Sequence, residues 1–250
     1  MPMQNICRVL QAEQLTADVF SLLLEAGALA RAAKPGQFVN IKCGEGNLLR
    51  RPISICDAEG DTLRVVFQAK GEGTRWLAQR RSGDELDVLG PLGHGYDYPE
   101  TGKVLVVGGG IGVPPMLLAG KRAPGGAVAA VGFRDQSACI LLEDFEEANI
   151  PVKIASDNGT VGHHGFVDAL VREYLTEDKT ISAVFACGPR PMLKSVFTAA
   201  KEFGVPCFVS MEERMGCGIG ACLVCACSVG GHYRHVCKDG PVFNAEEVDW

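Results

Sequence analysis

No basic stripe runs through this sequence. Its 24 Lys and Arg are outnumbered by 30 Asp and Glu, for a formal net charge of −6 and a pI near 5.4. That balance argues against nucleic acid as a partner. The opening residues, MPMQNICRVL, lack a charged stretch followed by an apolar run and do not read as a signal peptide. The longest apolar stretches, such as residues 104–107 and 113–119, fall far short of a bilayer span and are broken by Gly and Pro. No internal repeat, low-complexity tract or long linker is present. The expectation is a cytoplasmic protein with no membrane association.

What is present is apolar content and cysteine. Over 250 residues, 47% hydrophobic content suffices for two compact domains or one large one. Eleven cysteines in a cytosolic protein suggest metal or redox chemistry before a disulfide framework. Cys7, Cys43, Cys56, Cys139, Cys187 and Cys207 are scattered through apolar surroundings and read mostly as small core residues. The other five crowd into the C-terminal tail.

Three segments separate by pattern. Residues 1–100 carry short β-type runs at Phe38–Ile41, 53–55, 63–67 and 86–89, with Gly, Pro and Asp between them. This spacing predicts an antiparallel β-barrel or sandwich. Residues 101–210 alternate strand and helix: KVLVV, then PPMLLAGKR opening on Pro, then AVAAVGF, VKIAS, AVFAC and the helical MLKSVFTAAKEFG. Alternation of this kind predicts a Rossmann-like parallel sheet covered by helices. Residues 211–250 are rich in Gly and Cys, with little room for a core.

In that tail, Cys217, Cys222 and Cys225 form C-x4-C-x2-C, and Cys237 follows. This is the plant-type ferredoxin spacing for a [2Fe–2S] cluster. Gly216, Gly218 and Gly220 permit the backbone angles such a loop needs and let amide N–H groups approach sulfur. Structural zinc sites more often use two distant C-x2-C pairs. Cys227 is a spare that can take the place of Cys225, although the spacing favours Cys225. Arg214, Arg234, His235 and Lys238 flank the loops and can favour the reduced cluster or steer docking; a solvated surface explains them equally well.

Arg51, Pro52, Ile53 and Ser54 leave a Gly/Asn-containing turn and begin a strand. Val66, Phe67 and Gln68 follow, then Gly71-Glu72-Gly73-Thr74 opening a helix predicted over 75–81. Arg51 can pair with a pyrophosphate. Gly73 and Thr74 at a helix start can offer N–H groups and a hydroxyl to a phosphate. The Ser54 hydroxyl and nearby strand backbone can bond the polar edge of an isoalloxazine. Taken singly, these are an ordinary strand start and helix cap. Their order within a β domain that precedes an α/β domain resembles the ferredoxin–NADP reductase superfamily, whose barrel holds FAD through an Arg-x-x-Ser/Thr strand motif.

Gly108-Gly109-Gly110-Ile111-Gly112 lies between the strand KVLVV and a helix, where the backbone can approach a pyrophosphate. Read as G-x-G-x-x-G from Gly108, it has Val113 in the last glycine position, so it departs from the usual dinucleotide fingerprint. In the superfamily a Cys-Gly-Pro like Cys187, Gly188 and Pro189 lies beside the nicotinamide. Ser156-Asp157-Asn158-Gly159-Thr160 ends another strand and is either a ribose contact or a plain turn. Arg134 and Asp135 lie where an adenosine ribose is read. An Asp suits NAD and an Arg suits NADP, so the pair leaves that choice open.

Nicotinamides exchange two electrons and iron–sulfur clusters one, and a flavin can convert between them. The length leaves no room for a substrate-oxidising domain, so the cluster is expected to face another protein. The motifs RRPISI, GEGT, GGGIGVPPM, ACGPRPML, SMEERMGCGIGACLVCAC and HVCKDGPVF resemble the electron-transfer subunits of class 1B dihydroorotate dehydrogenase over nearly the whole sequence. The resemblance implies FAD on Arg51, Pro52, Ile53, Ser54, Val66, Phe67, Gln68, Gly73 and Thr74, a cluster on Cys217, Cys222, Cys225 and Cys237, and NAD near Gly109, Gly110, Gly112, Cys187, Gly188 and Pro189. It implies an FMN-containing catalytic partner, two copies of each subunit, and a place in pyrimidine biosynthesis. Asn158 stands where the resemblance expects an acid. One rival is an electron-transfer subunit of a related NAD(P)H–ferredoxin, hydrogenase or sulfite reductase complex. The other is a regulatory module with structural zinc.

Overall fold

Residues 2–250 are described by a computed structural model in which the chain forms two compact units. The first draws on the residues up to Gly95, on 212–227 and on 233–241. In chain order it begins with β1 (Met3–Gln14), β2 (Val19–Glu25), α1 (Ala28–Ala32), β3 (Phe38–Ile41), β4 (Arg51–Glu59), β5 (Thr62–Gln68), α2 (Glu72–Leu77) and β6 (Glu85–Leu92). The six strands close into an antiparallel barrel in the order β1-β2-β5-β4-β3-β6.

The period-2 pattern of β6 explains its place: Leu86, Val88 and Leu92 are buried while their neighbours are partly open. Leu63, Val65 and Phe67 of β5 and Leu22 and Leu24 of β2 join the buried set. β1 and β2 lie outside the runs read from the sequence. In β1 only Cys7 and Val9 are buried, so its apolar signal is thin. The helix predicted over 75–81 instead spans Glu72–Leu77. The Thr74 hydroxyl accepts the N–H groups of Lys70 and Gly71 at 3.0 Å each, which caps the helix earlier.

The second unit comprises 96–211, 228–232 and 242–250. It contains β7 (Lys103–Gly109), α3 (Pro114–Lys121), β8 (Ala127–Phe133), α4 (Leu142–Glu147), β9 (Val152–Ser156), β10 (His163–His164), α5 (Val167–Glu177), β11 (Ile181–Cys187), α6 (Arg190–Glu202) and β12 (Cys207–Ser210). In the tail, β13 (Ala226–Val229) and β14 (His232–His235) make a two-stranded sheet, and β15 (Val242–Asn244) returns to the large one. The large sheet has the order β10-β9-β8-β7-β11-β12-β15, parallel except where β15 runs against β12. Residues 104–107 of β7 are all buried, as a central parallel strand covered on both faces requires.

Among the described residues, no helix is long and apolar enough to cross a membrane. Of the scattered cysteines, Cys7, Cys43, Cys56, Cys187 and Cys207 are buried and Cys139 is half-buried. Burial pushes the thiols of Cys7 and Cys43 up to about 11 and that of Cys207 up to about 12, which keeps them protonated core groups.

Candidate cofactor sites

The tail loop in the first unit arranges its four predicted ligand thiols in two pairs. The Cys217 N–H donates to Cys222 Sγ at 3.3 Å, which sets these two ligands side by side. The Cys237 N–H donates to Cys225 Sγ at 3.4 Å, which pairs these two in the same way. Cys225 is thus the cysteine that meets Cys237; Cys227 is also buried. No three His, Cys, Asp or Glu side chains among the described residues converge as for a single ion.

The loop wraps its sulfurs in amides. Cys217 Sγ accepts N–H groups of Ile219, Ala221 and Cys222 at 3.4, 3.2 and 3.4 Å, and Cys237 Sγ accepts that of Gly220 at 3.1 Å. Burial opposes ionisation of Cys217, but these donors and the Cys222 thiol outweigh it and pull the thiol down to about 6. At Cys237 burial and the neighbouring Cys225 win, and the thiol rises to about 12. Two glycines make the wrap possible: Gly218 and Gly220 have φ of +75° and +81°, where a Cβ is strained. Leu223, between two ligands, also sits at φ +61°. Four thiolate donors with inward amides suit an iron–sulfur cluster.

The flavin-type segment lies on the same barrel. β4 opens with Arg51 and pairs there with β3, Ile41↔Arg51 through Phe38↔Ser54. Its pairing with β5 ends at Ile55↔Val65. Arg51, Pro52, Ile53 and Ser54 therefore lie on one side of the point where β4 and β5 part. Val66, Phe67 and Gln68, paired with β2, lie on the other. Strand edges that part in this way leave backbone donors and acceptors for a ligand's polar edge.

The Phe67 ring turns into the barrel, 6.2 Å from Phe20, so its backbone and not its ring is available. Arg51 donates to Asn47 Oδ1 at 2.8 Å and to the Leu49 carbonyl, and it lies against Gly73 at the start of α2. The Thr74 hydroxyl is occupied by its own turn, donating to the Gly71 carbonyl while capping.

Arg50, which opens the RRPISI motif, braces this region together with Asp87 and Asn40, which no motif contains. Arg50 donates to the Asp87 carboxylate at 2.8 Å and to the Asp87 and Asn40 carbonyls at 2.9 and 3.4 Å, tying β6 to β3 ahead of the flavin strand. Asn40 lies within the FVNI run of β3, and a polar residue inside a buried strand was its only signal.

In the second unit, the predicted nicotinamide residues gather at the carboxyl ends of β7 and β11, the usual ligand edge of a parallel sheet. Gly108 pairs with Cys187. Gly110–Gly112 forms a single 3-10 turn before α3. A Cβ on Gly112 would lie 2.3 Å from the Cys187 carbonyl oxygen. One on Gly109 would lie 2.3 Å from Met192 Sδ and 3.2 Å from Pro189. The glycines thus let the turn nest against Cys187, Gly188 and Pro189.

At the ends of β8 and β9, Asp135 accepts from Ser137 at 2.6 Å and from Arg134 at 2.9 Å. Asn158 Oδ1 accepts from the N–H and hydroxyl of Thr160, which makes residues 156–160 a self-closed turn.

The barrel, the parallel sheet with its glycine turn and the thiol loop together define a ferredoxin reductase-like electron-transfer protein. Residues 212–249 match the iron–sulfur cluster binding domain of dihydroorotate dehydrogenase B. The chain is 39% identical over 246 residues to the dihydroorotate dehydrogenase B (NAD(+)) electron transfer subunit of Caldanaerobacter subterraneus subsp. tengcongensis, covering 96% of each. It is 40% identical over 253 residues to the Geobacillus thermodenitrificans counterpart, again covering 96% of each. Among solved structures, an NADH-dependent reduced ferredoxin–NADP oxidoreductase superposes with a TM-score of 0.88 at 32% identity, over 98% of this chain and 90% of that one. The ferredoxin reductase of a carbazole 1,9a-dioxygenase shares the fold, with a TM-score of 0.69 at 23% identity over 82% and 67% of the two chains. The chain belongs to the family of dihydroorotate dehydrogenase B (NAD(+)) electron transfer subunits.

Proposed function

We propose that this chain is the electron-transfer subunit of an NAD-linked dihydroorotate dehydrogenase in pyrimidine biosynthesis. It is an oxidoreductase subunit with FAD, [2Fe–2S] and NAD as its cofactors. It carries electrons from a catalytic subunit to NAD⁺; oxidation of dihydroorotate itself belongs to the partner. When bound, the nicotinamide exchanges a hydride, the cluster exchanges single electrons, and the flavin converts between them.

The observation that carries the reading is the two thiol pairs, Cys217 with Cys222 and Cys225 with Cys237, in an amide-lined loop. In this reading those four hold the cluster. Arg51 neutralises a pyrophosphate beside Gly73, the parted edges at Ser54 and Val66–Gln68 bind the flavin's polar rim, and the turn at Gly109, Gly110 and Gly112 seats the dinucleotide against Cys187, Gly188 and Pro189. Residues 1–100, 101–210 and 211–250 serve as the FAD, NAD and cluster segments.

The partner is an FMN-bearing dihydroorotate-oxidising subunit, in a cytoplasmic assembly of two copies of each. The cluster loop supports a docking face: Ile219, Leu223 and Val224 are 52%, 63% and 56% exposed around the exposed Cys222. Apolar side chains left open in a row mark interaction surfaces. Copurification from the native host tests the partner. Recovery of a dihydroorotate-oxidising flavoprotein is expected. Recovery instead with a ferredoxin-linked, hydrogenase or sulfite reductase subunit would reject it.

A further inference from the structure

One buried polar group belongs to none of the motifs. Asn40 is 1% exposed, on a barrel strand whose neighbours Phe38, Val39 and Ile41 are all buried apolar residues. Its Nδ2 donates to the Cys217 carbonyl at 3.4 Å. The same nitrogen lies 2.5 Å from where a Cβ on Gly218 would be, so the loop backbone closes directly onto the amide. Its Oδ1 is buried with no hydrogen-bond partner among the described residues. On β3, Asn40 pairs across to Pro52 of the flavin strand. One side chain thus touches the first cluster ligand from the strand beside the flavin segment.

An apolar residue of equal size would satisfy this barrel position better. A buried amide with an unmet oxygen lowers stability, because that oxygen has lost its water without gaining a donor. Its one side-chain hydrogen bond goes to the Cys217–Gly218 backbone, so losing the amide frees that peptide while removing an unmet oxygen from the barrel. The other side chain that a Cβ on Gly218 would meet is Leu92, at 3.4 Å, which cannot hydrogen-bond. The amide fixes the direction of the Cys217 carbonyl. It thereby fixes the following peptides, whose N–H groups at Ile219, Ala221 and Cys222 point at Cys217 Sγ.

We propose that Asn40 is a positioning residue for the iron–sulfur cluster: its side-chain amide clamps the Cys217–Gly218 peptide onto barrel strand β3 and so holds the amide-lined loop in its cluster-binding form. The proposal deepens the function proposed above and rests on it. The role is structural toward the cluster and not toward the barrel, which separates it from an ordinary core contact.

The test compares the anaerobically reconstituted full chain with Asn40→Leu, and with Val39→Ala as a barrel control. Four readouts are taken: iron and acid-labile sulfide per chain, the rate at which iron passes to an added chelator, the EPR envelope after reduction, and the melting temperature. One hydrogen bond corresponds to about three- to ten-fold in an equilibrium. Asn40→Leu is expected to lose iron about three- to ten-fold faster, with an altered EPR envelope after reduction, while melting near the wild-type temperature. Val39→Ala is expected to melt lower and to release iron near the wild-type rate.

Wild-type release and EPR in Asn40→Leu would overturn the clamp. A lowered melting temperature with release no faster than in Val39→Ala would overturn it in favour of a plain core role. If the unsubstituted chain held no iron or sulfide, the cluster reading itself would fall, an outcome distinct from either.

Discussion

A Cβ on Gly73 would lie 2.4 Å from Nε of Arg51, so the arginine that opens the flavin strand rests directly on the first turn of α2. Any side chain at position 73 displaces the guanidinium. Gly73→Ala is therefore expected to mimic Arg51→Ala. Hydrogen bonds to charged groups are worth roughly 1.5–3 kcal/mol, so FAD affinity falls about ten- to hundred-fold in both. Equilibrium dialysis of FAD against the deflavinated chain measures it. Unchanged affinity in Gly73→Ala would separate Arg51 from the flavin.

The thiol pairing gives an asymmetry between two nearby cysteines. Cys225 meets Cys237, so Cys225→Ala is expected to abolish the visible absorption of the cluster, and Cys227→Ala to retain it. The reverse result would move the ligand to Cys227.

In the second unit, Gly112 abuts the Cys187 carbonyl at a distance no methyl group tolerates. Gly112→Ala must push apart the ends of β7 and β11. We expect the KM for NADH to rise about ten-fold or more, since small misplacements at a bound reactant are costly. Flavin and iron contents should stay at wild-type levels. A diaphorase assay with an artificial acceptor reads the first and absorbance the second.

Asp87 supplies a pH dependence with a definite sign. The hydrogen bond from Arg50 outweighs burial and holds its carboxyl below the ordinary value of 3.8. A folded-state value below the unfolded one gives stability that is full above about pH 4 to 5 and lost as pH falls through the folded value. Asp87→Asn is expected to lower the melting temperature at pH 7 and to flatten its decline on the acid side. Parallel melting curves for the two proteins at the acid end would contradict this.

The parts most legible in the sequence were those with steep local signals. KVLVV, AVAAVGF and AVFAC are long apolar runs, and they are central strands because both faces of a parallel sheet are covered. The C-x4-C-x2-C loop announced itself by spacing alone. β1 was opaque, because ten of its twelve residues are not buried. The start of α2 lies ahead of the expected residue 75 because the Thr74 hydroxyl closes the turn at Lys70 and Gly71. In the sequence Asn40 is one polar letter in a β-run. Its importance comes from a contact across 177 positions of sequence, which no local pattern carries.

In the proposed function one chain joins a two-electron nicotinamide to a one-electron iron centre through a flavin. Anaerobic titration of the purified, reconstituted chain with NADH, followed by absorbance and EPR together, tests it most directly. Flavin bleaching accompanied by the EPR signal of a reduced [2Fe–2S] centre is expected. Bleaching with no EPR signal, in a protein shown to contain iron and sulfide, would contradict it.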